Sequence, residues 1–322
     1  MSNQIDSDEI LIDFHPRFRT YKSGRVERFF GTTTVSSGLD PSTGVLSKDL
    51  LLPLPSSSSS ISARLFLPPH PQPHSLPILL YFHGGGFCIE STTSPTYHSY
   101  LNSLSLTSTV LILSVDYRRA PEHLLPTAYS DSWQALQWLT SSREEEWLIS
   151  YADFTRLFLA GDSAGANIVH QLALRAGREK LGEGPHGFPE LRGAMLVHPY
   201  FWGSTPVGNE TKDELARSRV ECLWKMTASP EMGVDHPCFN PFAEGAPPLA
   251  GVCCRRVLVC VASEDVYCER GKLYYEKLVG SGWDGVGELW VDEGEGHVFH
   301  LMKPLSDKAL EMMKKVVAFL NS

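Results

Sequence analysis

Leu157-Phe158-Leu159-Ala160-Gly161-Asp162-Ser163-Ala164-Gly165 is an apolar run that breaks into Gly-x-Ser-x-Gly. This order predicts a buried strand, a sharp nucleophile elbow and a helix, with Ser163 at the tip of the reversal as candidate nucleophile. The flanking glycines matter because a side chain beside so tight a turn would collide with it. Residues 166–175 continue with Ile168, Leu172 and Ala173 on one helical face, so the three parts come in the required sequence.

Working outward, compact apolar runs at 78–82, 110–115, 157–160, 194–197 and 257–261 read as strands of a buried sheet, and 61–67 as one more strand. Helical patterns at 128–139, after the elbow, at 270–279 and at 306–320 separate them. Such alternation predicts an α/β chain, 1–322 as a single domain, with a mostly parallel central sheet and helices on both faces. The serines at 56–60 and the recurrent prolines Pro68, Pro69, Pro71, Pro73 and Pro77 read as exposed connections. Two regions break the pattern. Residues 10–30 are rich in Phe and Arg around Ser23-Gly24, and 201–251 are irregular and carry Trp202, Trp224, Met226, Met232 and Phe239. Both are expected to form a cap, from about 1–45 and 200–250, over a pocket at the carboxyl edge of the sheet.

With 42% hydrophobic and 20% charged residues among 322, the chain has ample material for a large core. Its net charge of -9 opposes binding to a phosphate backbone, so no nucleic-acid partner is expected. No apolar run reaches membrane-spanning length, and the start of the chain, with Asp6, Asp8, Glu9 and Asp13, does not read as a signal peptide. Seven irregularly spaced cysteines suggest no disulfide ladder, which fits a reducing cytosol and a cytoplasmic monomer or dimer. The sequon at Asn209 would matter only in a secreted chain. No His-Glu-x-x-His or paired Cys-x-x-Cys points to zinc, and the Gly-x-Gly-x-x-Gly at 182–187 follows a helix and contains proline, so it reads as a loop. No metal and no cofactor are expected.

A serine hydroxyl is a weak nucleophile and needs a base, which in turn needs an orienting group. In α/β hydrolases the chain order is Ser, acid, His. His297, in Gly294-Glu295-Gly296-His297 after a strand-like 288–291, is the candidate base, with His300 as rival. Asp265, just beyond the run 257–261, is the candidate acid, with Glu264 and Asp292 as alternatives. A tetrahedral oxyanion also needs donors, and His83-Gly84-Gly85-Gly86 after the run 78–82 offers unobstructed backbone N–H groups. Gly85, Gly86 and Ala164 are the expected oxyanion donors. Phe14, Trp202 and Phe299 are candidate pocket-lining residues for an apolar small-molecule ester.

Three longer motifs, at 81–87, 115–126 and 161–168, resemble the plant carboxylesterases of the hormone-sensitive-lipase-like branch of α/β hydrolases, and the likeness spans nearly the whole chain. The resemblance implies an α/β-hydrolase fold, esterase activity through Ser163, Asp265 and His297, an oxyanion hole at Gly85, Gly86 and Ala164, and a cap made partly from the N-terminus. Within the second motif, Arg118 and Glu122 are expected to pair beneath the oxyanion loop. Two relatives in this branch differ in function. Gibberellin receptors usually lack the histidine found here at 297. The 2-hydroxyisoflavanone dehydratases, similar also at 201–204 and 262–265, often carry Thr where this chain has Ser163, whose less crowded hydroxyl favours hydrolysis.

Overall fold

The computed structural model describes residues 9–53, 60–141, 144–179, 181 and 190–322; the serines at 56–59, Asp6, Asp8 and the 182–187 loop lie outside them. The chain opens with a three-stranded antiparallel sheet, β1 (Ile10–Phe14), β2 (Phe18–Tyr21) and β3 (Val26–Arg28). Gly24, at φ 83°, lies in the turn joining β2 to β3, a left-handed position that glycine enters without penalty.

A larger sheet follows, made from β4 (Leu46–Pro53), β5 (Ser60–Leu67), β6 (Leu76–Phe82), β7 (Leu111–Asp116), β8 (Ala152–Asp162), β9 (Leu191–Val197), β10 (Arg256–Ala262) and β11 (Val286–Asp292). Its order is β11-β10-β9-β8-β6-β7-β5-β4. The six strands from β11 to β7 run parallel, while β5 pairs antiparallel with β7 and β4 antiparallel with β5. The helices between them are α1 (Pro95–Ser108), α2 (Thr127–Ser141), α3 (Glu146–Tyr151), α4 (Ala164–Glu179), α5 (Glu214–Thr227), α6 (Cys268–Val279), α7 (Phe299–Met302) and α8 (Asp307–Leu320).

Side-chain alternation along each strand divides the core into two layers. From β6, Ile78, Leu80 and Phe82 pack into the layer that holds Leu136 of α2, Ile168 of α4 and Leu278 of α6. Leu79 and Tyr81 face the other way, with Leu101 of α1 and Phe319 of α8. The central strands are buried on both faces, so they read as unbroken apolar runs in the sequence.

Several elements carry no such signal. β4 is an edge strand whose residues alternate between core and solvent, and α1 is rich in serine and threonine, with Ser105 and Ser108 returning hydrogen bonds to main-chain carbonyls. One expected pair does not form: Arg118 binds Asp131 of α2 through Nε and Nη2 at 2.7–3.2 Å, and Glu122 instead binds Arg28 of β3 at 2.5–2.7 Å. The physical reason is that the buried Asp131 carboxylate takes the Arg118 main-chain N–H and its guanidinium together, whereas Glu122 lies at the edge where the N-terminal sheet docks.

The elbow fits because two glycines let main chain approach main chain. A Cβ at Gly165 would stand 1.9 Å from the Phe82 carbonyl oxygen, and one at Gly161 would stand 2.4 Å from the Gly165 carbonyl carbon. Backbone cannot yield as a side chain would. Gly165→Ala is expected to destabilise the protein by about 3 kcal/mol or more, measured by urea unfolding, and to lower the yield of folded protein.

Candidate active site

β8 delivers Ser163 at the carboxyl edge of the sheet, and α4 begins at the next residue. Ser163 has φ 53°, a conformation that L residues rarely adopt, and three main-chain bonds hold it there. Its N–H donates to the Val197 carbonyl at 2.9 Å, and its carbonyl accepts from the N–H groups of Asn167 at 3.2 Å and Tyr200 at 3.1 Å.

Ser163 Oγ lies 2.9 Å from Nε2 of His297, and Nδ1 of His297 lies 2.6 Å from Oδ2 of Asp265. An ionised carboxylate can only accept, so Nδ1 carries the proton and Nε2 is left to accept from the serine hydroxyl. Asp265 stands on the turn after β10, where its Oδ1 accepts the Tyr267 N–H at 3.1 Å and fixes the carboxylate plane. Of the other carboxylates considered, Glu264 is exposed to solvent and Asp292 accepts from Trp290 Nε1 at 3.0 Å. The rival His300 is buried beneath the site, edge-on to Tyr100, with neither ring nitrogen bonded.

Beside the serine, the loop after β6 brings Gly85 and Gly86 to φ 92° and 59°. Their N–H groups donate to no other group among the described residues, and Ala164, first in α4, has no partner within its helix. The loop is anchored from below. Tyr97 Oη accepts the Gly84 N–H at 2.8 Å and donates to Asp162 Oδ2 at 2.8 Å, while Tyr81 Oη donates to Asp162 Oδ1 at 2.8 Å. Burial raises the Asp162 carboxyl above its usual range, and the two tyrosine bonds oppose that push. Tyr117 Oη donates to the His83 carbonyl at 2.8 Å, with its ring stacked on His83 at 4.4 Å.

His198 supports the histidine loop. Its Nδ1 accepts the N–H of Val298 at 2.9 Å, so the residue after His297 is tied to the end of β9. Burial, then the charges of His300 and His297, hold the His198 ring well below the usual histidine range, which keeps it neutral and able to accept. Among the described residues, His198, Asp265 and His297 are the set that could hold a cation, their ligand atoms lying within 4.8 Å of one another. Each is already committed to a protein hydrogen bond, the pattern of a relay rather than of a cage.

A cavity of about 580 Å³ opens over Ser163 and His297. Arg17, Phe29 and Phe30 from the N-terminal segment, Leu223 from α5, and Tyr200 and Tyr267 from the sheet edge supply its walls. Phe14, Trp202 and Phe299 do not line it. Phe14 packs on Phe18 at 5.6 Å, Trp202 is fully buried under Tyr267 and beside Arg217, and Phe299 is buried against His198. The aromatic residues of the irregular region serve mainly as core, as in the stacked pair Trp224 and Phe239 at 4.2 Å. Arg17, Tyr97, Asp162 and Tyr267 join the site with little sequence signal, only Asp162 having one, its place inside the elbow motif, and His198, which precedes Asp265 in the chain and so falls outside the Ser, acid, His order for a base, supports His297 instead.

A family model described as the alpha/beta hydrolase fold matches residues 79–301. The chain is 43% identical over 314 residues to probable carboxylesterase 2 of Arabidopsis thaliana, covering 97% of each. It is 44% identical over 320 residues to a chloroplastic tuliposide A-converting enzyme 1 of Tulipa gesneriana, covering 98% of this chain and 79% of that one. Among solved structures, a thermophilic carboxylesterase cloned from a metagenomic library matches with a TM-score of 0.70 at 26% identity, covering 89% of this chain and 90% of that one.

The buried His300 yields a prediction separate from catalysis. Burial, and secondarily the charge of His297, push its ring from 6.5 down to about 3. Below pH 6.5 the unfolded chain therefore binds a proton that the folded chain refuses, so stability is complete above that pH and is lost as pH falls toward 3. Between pH 7 and pH 5 the parent protein is expected to lose about 2 kcal/mol more than His300→Phe, read by urea unfolding at each pH.

Proposed function

The chain belongs to the α/β-hydrolase family, in its plant carboxylesterase branch, and is a carboxylic ester hydrolase; we propose that it cleaves small to medium, largely apolar esters through an acyl-enzyme on Ser163. The observation that carries this reading is the hydrogen-bonded series Ser163, His297, Asp265 at 2.9 and 2.6 Å. His297 Nε2 takes the hydroxyl proton as Oγ attacks the ester carbonyl, and the carboxylate of Asp265 stabilises the imidazolium and holds the ring. The carbonyl oxygen becomes negative within reach of the N–H groups of Gly85, Gly86 and Ala164, whose orientation is set before the substrate arrives. The tetrahedral intermediate then expels the alcohol, which leaves with the proton from His297. Water, deprotonated by the same nitrogen, attacks the acyl-enzyme and releases the acid and the free serine.

The walls of Phe29, Phe30, Leu223, Tyr200 and Tyr267 support an apolar acyl or alcohol group, and the cavity volume suits a ligand of modest size. Every reacting group comes from one chain, so either a monomer or a dimer suffices. The seven cysteines are all free thiols, which suits a reducing compartment, and the cytosol is our reading. No helix among the described residues is long and apolar enough to cross a membrane.

Ser163→Ala is expected to lower kcat on 4-nitrophenyl acetate by about 10⁴-fold or more, with KM little changed. Turnover that survives Ser163→Ala would defeat the mechanism. Because the chain also resembles the 2-hydroxyisoflavanone dehydratases at 201–204 and 262–265, the same preparation is also given a 2-hydroxyisoflavanone. Dehydration outpacing ester cleavage would replace hydrolysis as the principal reaction.

A further inference from the structure

We propose that Arg17 makes the cavity selective for esters whose acyl or alcohol part carries a carboxylate. The inference rests on the esterase reading and names the substrate class within it. Arg17 stands between β1 and β2 and lines the cavity that holds Ser163 and His297. The basic residues around it are committed to carboxylates: Arg19 to Asp13 at 2.8 Å, Lys22 to Glu9 at 2.6 Å, Arg28 to Glu122 at 2.5 Å. Arg17 has no such partner among the described residues. Its guanidinium rests over the Phe14 ring, 5.5 Å from the centroid, a contact that orients the planar cation but leaves its forked donors unspent.

Arg17 is a half-buried residue whose guanidinium lies over one aromatic ring and meets no anion among the described residues, so a carboxylate brought there by a ligand is the missing partner. The Arg17 field reaches the reaction centre. Burial raises the phenols of Tyr200 and Tyr267, and Arg17 is the cation that counters that rise in both. Two acidic residues also line the cavity: Asp162, whose oxygens are taken by Tyr81 and Tyr97, and Glu90. Glu90 sits against Gly31 and acts on Tyr97, not on Tyr267, and it makes no ion pair with Arg17. The cavity is therefore polarised, and a substrate with one anionic end has one favourable orientation in it. With a net charge of -9, the chain as a whole repels anions, so the preference must come from a short-range contact and not from long-range steering.

The test uses two matched pairs of esters. Mono-4-nitrophenyl glutarate against 4-nitrophenyl butyrate places the carboxylate on the acyl side, and 4-acetoxybenzoate against phenyl acetate places it on the alcohol side. For at least one pair, the ratio of kcat/KM for the charged over the neutral ester is expected to fall about tenfold in Arg17→Gln, mainly through KM, and to recover in part in Arg17→Lys. Ratios for both pairs that stay the same in the parent protein and Arg17→Gln would overturn the selectivity while leaving the esterase intact. Failure to turn over any of the four esters would overturn the esterase reading, and this inference with it.

Discussion

The carboxylate of Asp162 is buried completely, and the rest of the site is arranged around its need for donors. Neither oxygen meets a cation among the described residues. Tyr81 and Tyr97 supply the hydrogen bonds instead, and Tyr97 spends its acceptor side on the Gly84 N–H. One side chain thus joins the residue before Ser163 to the loop that carries Gly85 and Gly86. Close approach is part of the same device, because a Cβ at Gly84 would stand 2.4 Å from Asp162 Oδ2. The positions of Ser163 and of the Gly85 and Gly86 amides are then set by the same buried group.

A second tie does the same for the base. Val298, at φ 49°, and His198, at φ 47°, are both in the left-handed region, and the bond from the Val298 N–H to His198 Nδ1 joins them. That bond needs an unprotonated Nδ1, and burial, with the charges of His300 and His297, lowers the His198 ring well below the usual histidine range. The histidine loop is therefore pinned to β9 and, through the Asp265 carboxylate, to the turn after β10. Two strained residues next to a reacting imidazole are a cost that the surrounding core sustains, and both act on where His297 points rather than on how much stability the fold has.

Legibility in the sequence followed how each residue is constrained. The elbow could be read because only glycine fits at 161 and 165, and the strands β6, β7, β8 and β10 because a sheet covered on both faces leaves no polar position to interrupt the run. His297 and Asp265 could be placed because chain order and a strand end restrict where a base and an acid can stand. The cavity wall could not. Phe14, Trp202 and Phe299 are aromatic, but so is much of the core, and residue type does not tell a wall from a filling. The residues that do line the site, such as Tyr267 and Leu223, reach it through tertiary packing with no local pattern. α1 and α5 were missed because serine, threonine and charged residues dilute their apolar stripe.

The N-terminal sheet completes the argument about charge. The N-terminal sheet docks through Arg28, which binds Glu122 and also donates to the carbonyls of Cys88 and Ala120, next to the oxyanion loop. These bonds set the height of the sheet above the cavity, and with it the height of the β1-to-β2 turn. Arg17 inherits its position from that docking, just as Ser163 inherits its own from Asp162. A carboxylate in the substrate would find one fixed cation on the cap side and one fixed set of amides on the sheet side. Which ester bond reaches Ser163 then depends on the distance between the two charges the molecule presents, the carboxylate it carries and the oxyanion it develops. Selectivity and catalysis would be set by separate layers of the fold, so the turn holding Arg17 could change its side chain without disturbing the elbow beneath it.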